Sequence, residues 1–324
     1  MSAFDLSLVI VSFNTRDLLA ACLASLPVAV GGLAWEAIVV DNDSRDGTVD
    51  MLRERFPETI LVEAGENLGF ARATNLGLAR ARGRIVCWLN PDCVASPASL
   101  VGLVNHLDAH PGVGAAGPRL VFPDGRVQPS AQAFPGAVRV LYHFLGLRAL
   151  AGAGRLSPLW RGVARWAGPM SRSYIESLTP GLEPRSVDWL SGACLASRAD
   201  DAAVVGPLDE GYFMYCEDTD WCHRLRSRGL EVRYLPALVV VHHVGASRPF
   251  NPEAVYHYYR SLLRYFLKHR PAQGGLVRAL MLTGFALRGL GRESARLLGR
   301  HDPHPWWRLV RLCWSPATLA DGAR

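Results

Sequence analysis

The chain has 324 residues, of which 49% are hydrophobic and 20% are charged, so it can bury a sizeable core and is not globally disordered. Its formal net charge is +6, and nearly all of the positive charge is arginine, because Lys268 is the only lysine. A phosphate-binding loop of the G-x-x-x-x-G-K-[ST] type needs a lysine after its second glycine. Lys268 lies in F-L-K-H, so that class of nucleotide-binding enzyme is excluded.

The amino-terminal half alternates short buried strands with amphipathic helices. The spacing of apolar residues predicts strands over 6–12, 37–40, 60–62 and 85–89, and helices over 15–26, 49–56, 70–81 and 97–110. This alternation predicts an α/β fold, with a mostly parallel open sheet flanked by helices and right-handed crossovers. Open sheets of this kind bind ligands at the carboxyl ends of their strands. Polar residues gather at those ends, at 12–14, 41–44 and 90–92.

The second half is less regular. The stretch from about 128 to 185 is rich in Gly, Pro, Arg and Trp and predicts an insertion with short helices around 138–150 and 160–166. Strand-like order returns at 189–197, a helix is expected from 218 to 228 before Gly229, and short strands follow at 232–234 and 238–242. After Pro252 the chain is predicted to be helical to its end, with breaks at Pro271 and Pro303.

The first polar segment that could carry chemistry follows the second predicted strand. Its Asp41 is a carboxylate at a strand end, which can accept hydrogen bonds from a ribose or from a base N–H. Asn42, Asp43 and Ser44 could equally form the turn and cap the next helix. The residues alone leave both interpretations open.

The second segment combines E-N-L-G-F-A with W-L-N-P-D-C. Gly69 permits a close approach of the backbone to a ligand at a helix start. Asp92 follows a strand, where one carboxylate can ligate Mg²⁺ or Mn²⁺ that bridges two phosphates. The alternative for Asp92 is a turn or helix-capping residue ahead of Pro97.

The third segment, Y-F-M-Y-C-E-D-T-D-W-C-H-R, contains three acids. Adjacent acids near apolar surface raise each other's pKa, which suits Glu217 and Asp218 to act as a base. They could instead complement the dipole of a helix. Asp220 and Arg224 form an i,i+4 pair, which is more typical of structure than of chemistry. Further on, His242 and His243 end a predicted strand.

Together these segments resemble family 2 of the glycosyltransferases, which has the GT-A fold, and within it the bacterial rhamnosyltransferase-like group. The motifs lie in order over residues 6–248: V-S-F-N, V-D-N-D-S-R-D-G-T, N-L-G-F-A-R-A-T-N, N-P-D-C, W-L-S-G-A-C, F-M-Y-C-E-D-T-D-W-C-H-R and V-H-H-V-G-A-S. The resemblance implies a nucleoside-diphosphate sugar donor of the dTDP or UDP type. It also implies Mg²⁺ or Mn²⁺ as cofactor and inversion at the anomeric carbon.

The resemblance also assigns roles to individual residues. Asp218 would be the catalytic base with Glu217 beside it, Asp92 would close the metal-binding D-x-D motif, and His242 would lie near the metal and the diphosphate. Asn90 stands where that motif has its first Asp, which removes one negative charge from the site. The remaining residues implied for the donor site are Ser12, Asn14, Asp41, Asn42, Asn67, Gly69, Phe70, Asn75 and Asn90.

The C-terminal region, from 260 to 311, carries many arginines interleaved with apolar residues, and Trp306, Trp307 and Trp314 are among its aromatics. Basic amphipathic helices with tryptophan are typical of binding to an anionic membrane surface. A helical cap with a solvated arginine face is the alternative, and nucleic-acid binding is not expected because no recognition motif accompanies the charge. The sequence thus predicts a glycosyltransferase domain over 1–250 and a basic helical extension over 251–324. The domain would comprise a nucleotide-sugar-binding half (1–127), an insertion (128–186) and an acceptor and catalytic half (187–250).

Cysteines and termini suggest where the protein acts. The seven cysteines form no C-x-x-C pair, which favours reduced thiols in a cytoplasm over disulfides or structural zinc. The amino terminus has no signal-peptide pattern, and no apolar run approaches the roughly 20 residues of a spanning helix. A cytoplasmic protein, peripheral on the inner face of the cell membrane, is therefore expected.

The functional hypothesis is an inverting rhamnosyltransferase that acts on a glycan or lipid-linked acceptor in cell-surface polysaccharide assembly. The same fold could use another donor sugar, such as galactofuranose, glucose or an N-acetylhexosamine. A catalytically silent nucleotide-sugar-binding or scaffold protein is the alternative from another class, and Asn90 keeps it open. A dinucleotide-dependent dehydrogenase is not expected, because no G-x-G-x-x-G follows the first strand. The sequence leaves a homo-oligomer open.

Overall fold

The computed structural model describes residues 4–144, 183–243, 251–297 and 303–314, which fall into two compact units. The sheet unit contains 4–133, 183–209 and 217–243, and the helical unit contains 134–144, 210–216, 251–297 and 303–314. Residues 210–216 thus group with the helices, although the sequence places them within the glycosyltransferase domain. The domain boundaries expected from the sequence stay a prediction.

The sheet unit contains a nine-stranded sheet and a small two-stranded one. The main strands are β1 (Phe4–Ser12), β2 (Trp35–Asp41), β3 (Ile60–Glu63), β4 (Gly83–Leu89), β5 (Cys93–Ala95), β6 (Val113–Val121), β8 (Arg185–Val187), β10 (Cys194–Arg198) and β11 (Glu231–His242), while β7 (Ala131–Gln132) pairs with β9 (Trp189–Leu190). The helices are α1 (Arg16–Val30), α2 (Thr48–Arg55), α3 (Gly69–Leu78), α4 (Ser99–Ala109), α6 (Ala199–Val205) and α7 (Glu217–Arg226).

The main sheet is mixed. Its order is β3-β2-β1-β4-β10-β6-β11-β5, with β8 also paired to β11. The first four strands in this order are parallel, as the alternating pattern predicts, and the α/β fold is confirmed. Beyond them β10 runs antiparallel to both of its neighbours, β4 and β6. The 189–197 stretch, expected to be continuous, is two strands separated by a turn.

Helices cover both faces of this sheet. On one face, leucines and valines of α1 and α4 pack with β1, β4 and β6 in the principal core. On the other, α3 lies directly on the strands because Gly77 has no side chain: a Cβ there would stand 2.4 Å from Val9 Cγ1 and 3.2 Å from Val40 Cγ2. This close approach sets the distance between α3 and the sheet. Helix α3 carries several of the predicted donor-site residues.

The strand β11 replaces the two strands predicted at 232–234 and 238–242. Its pairing with β6 is interrupted between Leu235 and Val239. Pro236 lies in this interruption and has no N–H to donate, which accounts for the local break within one continuous strand. Past the break, the end of β11 pairs antiparallel with β5, and this pairing sets His242 opposite Cys93.

The helical unit comprises α5 (Ala137–Phe144), α8 (Pro252–His269), α9 (Pro271–Leu297) and α10 (Trp306–Trp314). The helices predicted after Pro252 are confirmed within 251–297 and 303–314, with breaks near Pro271 and Pro303, and the helix expected over 315–324 lies outside the described residues. Asn251 caps α8 by accepting a hydrogen bond from Glu253 N–H. The unit has its own core, which includes Phe266, Met281, Phe285 and Leu309. The helix predicted over 160–166, and the one over 138–150 beyond Phe144, lie outside the described residues. No helix in the described part of the chain is long and apolar enough to cross a membrane.

Candidate active site

The pairing of β5 with β11 brings two predicted site residues together. His242 Nε2 lies 3.2 Å from Asp92 Oδ1, and both side chains are largely buried. Asn90, which follows β4, places its amide Nδ2 3.4 Å from the same His242 Nε2. The N-P-D segment and the histidine that closes β11 therefore form one cluster at the edge of the sheet.

This cluster fits a divalent cation. Ligand atoms of Asp92, Cys93 and His242 all lie within 4.8 Å of one another. Burial raises the pKa of the Cys93 thiol well above its usual range, and the thiol donates a hydrogen bond to the Ala193 carbonyl. The carboxylate of Asp92 and the imidazole of His242 are thus the better donors. A carboxylate with an imidazole suits Mn²⁺, and carboxylate oxygen suits Mg²⁺.

Two buried acceptors lie at the carboxyl end of β2. Asp41 is 3% exposed; its Oδ2 accepts a hydrogen bond from Ser44 N–H, whereas its Oδ1 has no partner among the described residues. Asn42 is 2% exposed; its Nδ2 donates to the Gly69 carbonyl, and its Oδ1 also lacks a partner within the described chain. Because an unsatisfied buried acceptor is costly, two of them side by side indicate a ligand that brings hydrogen-bond donors.

The loops at the neighbouring strand ends are held by hydrogen bonds of their own. Gly69 starts α3 with a φ of 78°, a left-handed conformation suited to glycine, and its N–H binds Asn67 Oδ1. Asn14, with a φ of 53°, accepts from Arg45 N–H through its Oδ1. Ser12 is buried, and its Oγ lies 2.9 Å from Thr15 Oγ1. These contacts shape the loops at the carboxyl ends of β1, β2 and β3.

Asn75 has a structural role. Its Nδ2 donates to the Leu208 carbonyl, and its Oδ1 accepts from Leu208 N–H. Because both ends of its amide bind the backbone of one distant residue, this side chain ties α3 to the segment before 209. Its expected place in the nucleotide pocket stays a prediction that these contacts do not favour.

Helix α7 begins with the two candidate base residues. Asp218 is partly exposed: its Oδ2 accepts from Gly192 N–H at 2.8 Å, and its Oδ1 accepts from Thr219 N–H at 2.6 Å. Burial raises the pKa of Asp218, although these hydrogen bonds act in the opposite direction. Glu217 is 6% exposed, and burial together with the charge of Asp218 raises the pKa of Glu217 well above its usual range. Asp218 is therefore the more exposed of the two acids.

The chain enters α7 through a strained turn. Tyr215 and Cys216 have φ angles of 68° and 63°. Non-glycine residues held in this region cost on the order of 1–3 kcal/mol each, and such strain concentrates at functional sites. The strain falls immediately before Glu217 and Asp218, which supports a functional role for this end of the helix.

The inner side of α7 is held against the sheet. Trp221 packs edge-on against Trp88 of β4, with ring centroids 4.7 Å apart, and its Nε1 donates to the Gly206 carbonyl. Asp220 is fully buried and binds Arg224 at 2.9 Å, which agrees with the structural role expected for this pair. The helix is therefore fixed relative to β4, the strand that leads into Asn90.

Gly192 brings the two halves of the site together. The position of a Cβ on Gly192 lies 3.7 Å from both Phe70 Cε1 and Asp218 Oδ2. Phe70 comes from the predicted nucleotide pocket and Asp218 is the predicted base, so the two meet around this glycine. The W-L-S-G-A-C motif contained Gly192, but the residues gave no reason to single it out. Thr219 was also missed, as was Gln128, whose Oε1 lies 2.9 Å from His242 Nδ1.

Comparisons with known proteins agree on one family. A model described as glycosyl transferase family 2 matches residues 7–155. The chain is 31% identical over 325 residues to the N-acetylglucosaminyl-diphospho-decaprenol L-rhamnosyltransferase of Mycobacterium tuberculosis (strain ATCC 25618 / H37Rv), and the match covers 91% of this chain and 99% of that protein. It is 38% identical over 85 residues to the rhamnosyltransferase WbbL of Escherichia coli (strain K12), covering 26% of this chain and 32% of that one.

Solved structures agree on the fold. The mannosyltransferase PcManGT from Pyrobaculum calidifontis, in complex with GDP-Man and Mn²⁺, aligns with a TM-score of 0.54 at 17% identity and covers 98% of this chain and 86% of its own. GalNAc-T7 with UDP, GalNAc and Mn²⁺ aligns with a TM-score of 0.53 at 14% identity, covering 80% of this chain and 47% of its own. At these identities the likeness establishes the fold alone.

Proposed function

Because this chain belongs to glycosyl transferase family 2 and is a glycosyltransferase, we propose that it transfers rhamnose, with inversion, from a nucleoside-diphosphate donor to a lipid-linked acceptor. The observation that carries the proposal is the meeting of Asp92 and His242 at 3.2 Å. A carboxylate and an imidazole this close support a cation site, which a diphosphate leaving group needs. The name of the mycobacterial relative supports both the donor sugar and an acceptor that contains N-acetylglucosaminyl diphosphate on a polyprenol.

The donor nucleotide is assigned to the pocket at the end of β2. The orphaned acceptors Asp41 Oδ1 and Asn42 Oδ1 match the imide N–H of a uracil or thymine ring and a hydroxyl of the nucleoside's ribose or deoxyribose. Phe70, close to Gly192, supplies an apolar surface, and it follows Gly69, whose carbonyl accepts a hydrogen bond from Asn42 Nδ2. A dTDP or UDP sugar is therefore the proposed donor, and Mg²⁺ or Mn²⁺ the proposed cofactor. Galactofuranose, glucose and N-acetylhexosamine donors are the alternatives within the same chemistry.

Asp218 is assigned the proton transfer. Its carboxylate accepts the proton of the acceptor hydroxyl while that oxygen bonds to the anomeric carbon, and the bond from that carbon to the diphosphate oxygen breaks. The nucleoside diphosphate leaves with the electron pair, and a single displacement inverts the anomeric configuration. Gly192 and Thr219 hold the carboxylate in place through their N–H groups. When held by Asp92 and His242, the metal supplies positive charge for the diphosphate.

A membrane-facing surface is assigned to the helical unit. At 100° per residue, Leu276, Leu287 and Leu290 of α9 fall on one face, and they are 57%, 64% and 58% exposed. The other members of this face carry no charge: Ala272, Ala279, Thr283 and Ser294. The outer face of α10 presents Trp307, Arg311 and Trp314. Leucine, tryptophan and arginine on outward faces are suited to the interface of an anionic bilayer.

Several arginines of this unit serve other purposes. Arg278 donates to the carbonyls of Cys313 and Trp314, and Arg308 lies 3.8 Å from the ring centroid of Tyr256 and binds Glu253. Because Arg278 and Arg308 are engaged within the helical unit, the apolar face of α9 carries the membrane proposal. The chain would then act at the cytoplasmic face of the cell membrane, where a polyprenol-linked acceptor is available.

Donor binding can be tested by thermal unfolding. UDP, dTDP and dTDP-rhamnose with Mn²⁺ should raise the unfolding midpoint through mass action, and NAD should not. Asp41→Ala should abolish the shift, because it removes the orphaned acceptor, whereas Asp43→Ala, which changes an exposed carboxylate two residues away, should retain it. Stabilisation by NAD, with none by a pyrimidine nucleotide, would contradict the assignment of the pocket.

A further inference from the structure

A buried glutamine packs directly behind His242. Gln128 is 5% exposed, and its backbone is bound on both sides: its N–H donates to the Leu120 carbonyl and its carbonyl accepts from Ser130 N–H. Its side chain makes two hydrogen bonds to a single residue. Gln128 Nε2 donates to the His242 carbonyl at 2.7 Å, and Gln128 Oε1 lies 2.9 Å from His242 Nδ1.

These two contacts fix which nitrogen of His242 carries hydrogen. A backbone carbonyl can only accept, so the NH₂ end of the Gln128 amide must face it. The carbonyl end of that amide must then face His242 Nδ1. Because this oxygen is also only an acceptor, Nδ1 must be the donor, and in the neutral ring the lone pair is at Nε2.

The orientation of that lone pair is the important consequence. Nε2 is the nitrogen that faces Asp92 Oδ1 at 3.2 Å. When Nδ1 of the neutral ring donates to Gln128, the lone pair of His242 Nε2 and the Asp92 carboxylate oxygen face the same region at the carboxyl end of the sheet. A cation placed there could be bound by both atoms. The Asn90 amide can donate to the same lone pair at 3.4 Å and would give way to such a cation.

We propose that Gln128 is a positioning residue, which holds His242 in the Nδ1–H tautomer so that Nε2 serves as a ligand for the divalent metal. The inference rests on the metal site of the proposed function and adds a residue that acts through His242. In metal sites generally, loss of the group that orients a ligating histidine weakens metal affinity by about 10–100-fold. Gln128 also lies where the sequence expected an insertion to begin, so the insertion would contribute to the site through its first residue.

The test measures Mn²⁺ binding to the full-length protein by electron paramagnetic resonance, with dTDP or UDP present. Gln128→Leu keeps the buried volume close to that of glutamine and removes both hydrogen bonds, so the dissociation constant should rise by about 10–100-fold. The matched control is Gln132→Leu. Gln132 is an equally buried glutamine of the same segment, and it donates to the Pro129 carbonyl and not to His242. This control should bind Mn²⁺ as the wild type does.

A second readout separates positioning from general support of the fold. Long-range ¹H–¹⁵N spectra of the metal-free protein report the tautomer of each histidine, and His242→Ala identifies the signal of His242. The wild type should show the Nδ1–H form, and Gln128→Leu should shift the population toward Nε2–H. Gln128→Glu, which keeps an acceptor facing Nδ1, should retain the Nδ1–H form even if its fold is less stable.

The outcomes distinguish failure of this inference from failure of the proposed function. Weaker Mn²⁺ binding with an altered tautomer supports the inference. Wild-type Mn²⁺ affinity in a folded Gln128→Leu variant, or an unchanged tautomer, overturns the inference and leaves the proposed function intact. If the wild type itself takes up no Mn²⁺ with nucleotide present, the metal site of the proposed function fails, and the inference fails with it.

Discussion

The backbone N–H of Gly192 donates a 2.8 Å hydrogen bond to Oδ2 of Asp218, across 26 residues of sequence. Together with Thr219 N–H on the other carboxylate oxygen, it fixes the plane of the Asp218 carboxylate at the start of α7. Glu217, the neighbouring acid, is buried, and its Oε2 has no partner within the described chain. The two adjacent acids therefore have different environments, and we expect them to have different roles.

Replacing the two acids should separate these roles. Asp218→Asn keeps the size of the side chain but cannot accept the proton, so kcat should fall by at least about 10²-fold while donor affinity is retained. Glu217→Gln should lower kcat less, because this buried side chain is less accessible to the acceptor. Steady-state rates at saturating donor measure both variants. If Glu217→Gln is inactive and Asp218→Asn is fully active, the two roles are reversed.

The rate should also report the protonation of the base. Burial raises the pKa of Asp218 above the ordinary aspartate value of 3.8, and only its deprotonated form can act as base. We therefore expect kcat/KM, which reports the ionisation of the free enzyme, to be high at neutral pH and to fall as pH decreases through a limb that lies above 3.8. A pH profile of kcat/KM checks this, since an acid limb at or below the ordinary aspartate value would show that burial does not raise the pKa of this carboxyl.

The extent to which sequence anticipated structure differs between the parts of the chain. The first four strands and helices follow from local apolar patterns: β1, β2 and β4 are nearly continuous buried runs, and the helices carry apolar residues at helical spacing. Strand β5 could not be predicted because it has only three residues. The contact between Asp92 and His242 depends on the register of β5 with β11. Gln128 and Gly192 act through hydrogen bonds to residues far away in sequence, which no local pattern encodes. The contacts of Arg278 with α10 likewise arise only once the helices pack.

The two residues of the N-P-D segment should differ in their effect on metal dependence. Asp92→Ala removes the carboxylate next to His242 and should abolish activity with little loss of fold, since Asp92 is a loop residue. Asn90→Ala should cost less, because its amide contributes no charge. Rates with Mg²⁺, with Mn²⁺ and with excess chelator measure this. Full turnover in chelator would assign Asp92 to the turn alone.

Membrane binding should depend on the outer face of α9. Leu287→Glu places a charge on that face and should weaken co-sedimentation of the full-length protein with anionic liposomes, and high salt should weaken the wild type by screening. Val204→Glu is the matched control, because Val204 of α6 is 65% exposed and Leu287 is 64% exposed. Equal loss in both variants, or in neither, would place the membrane contact elsewhere.

Adding one methyl group between α3 and the sheet should destabilise the fold. Gly77→Ala places a Cβ 2.4 Å from Val9 Cγ1 and should lower the free energy of unfolding by about 1–3 kcal/mol. Val9→Ala in the same chain should restore part of this loss. Gly275→Ala is the control, because nothing lies within 4 Å of a Cβ there, and it should stabilise α9 by about 0.5–1 kcal/mol. Urea unfolding followed by tryptophan fluorescence compares the variants, and a neutral Gly77→Ala would show that α3 does not need this close approach.

The most direct test of the account is sugar transfer itself. The full-length protein is incubated with Mn²⁺, dTDP-rhamnose and N-acetylglucosaminyl-diphospho-polyprenol, and the lipid product is analysed by mass spectrometry and by NMR of the new anomeric carbon. We expect a single rhamnose to be added, with the anomeric configuration opposite to that of the donor, and the product to disappear with Asp218→Asn. Retained anomeric configuration, or undiminished transfer by the Asp218→Asn variant, would contradict single displacement with Asp218 as the base.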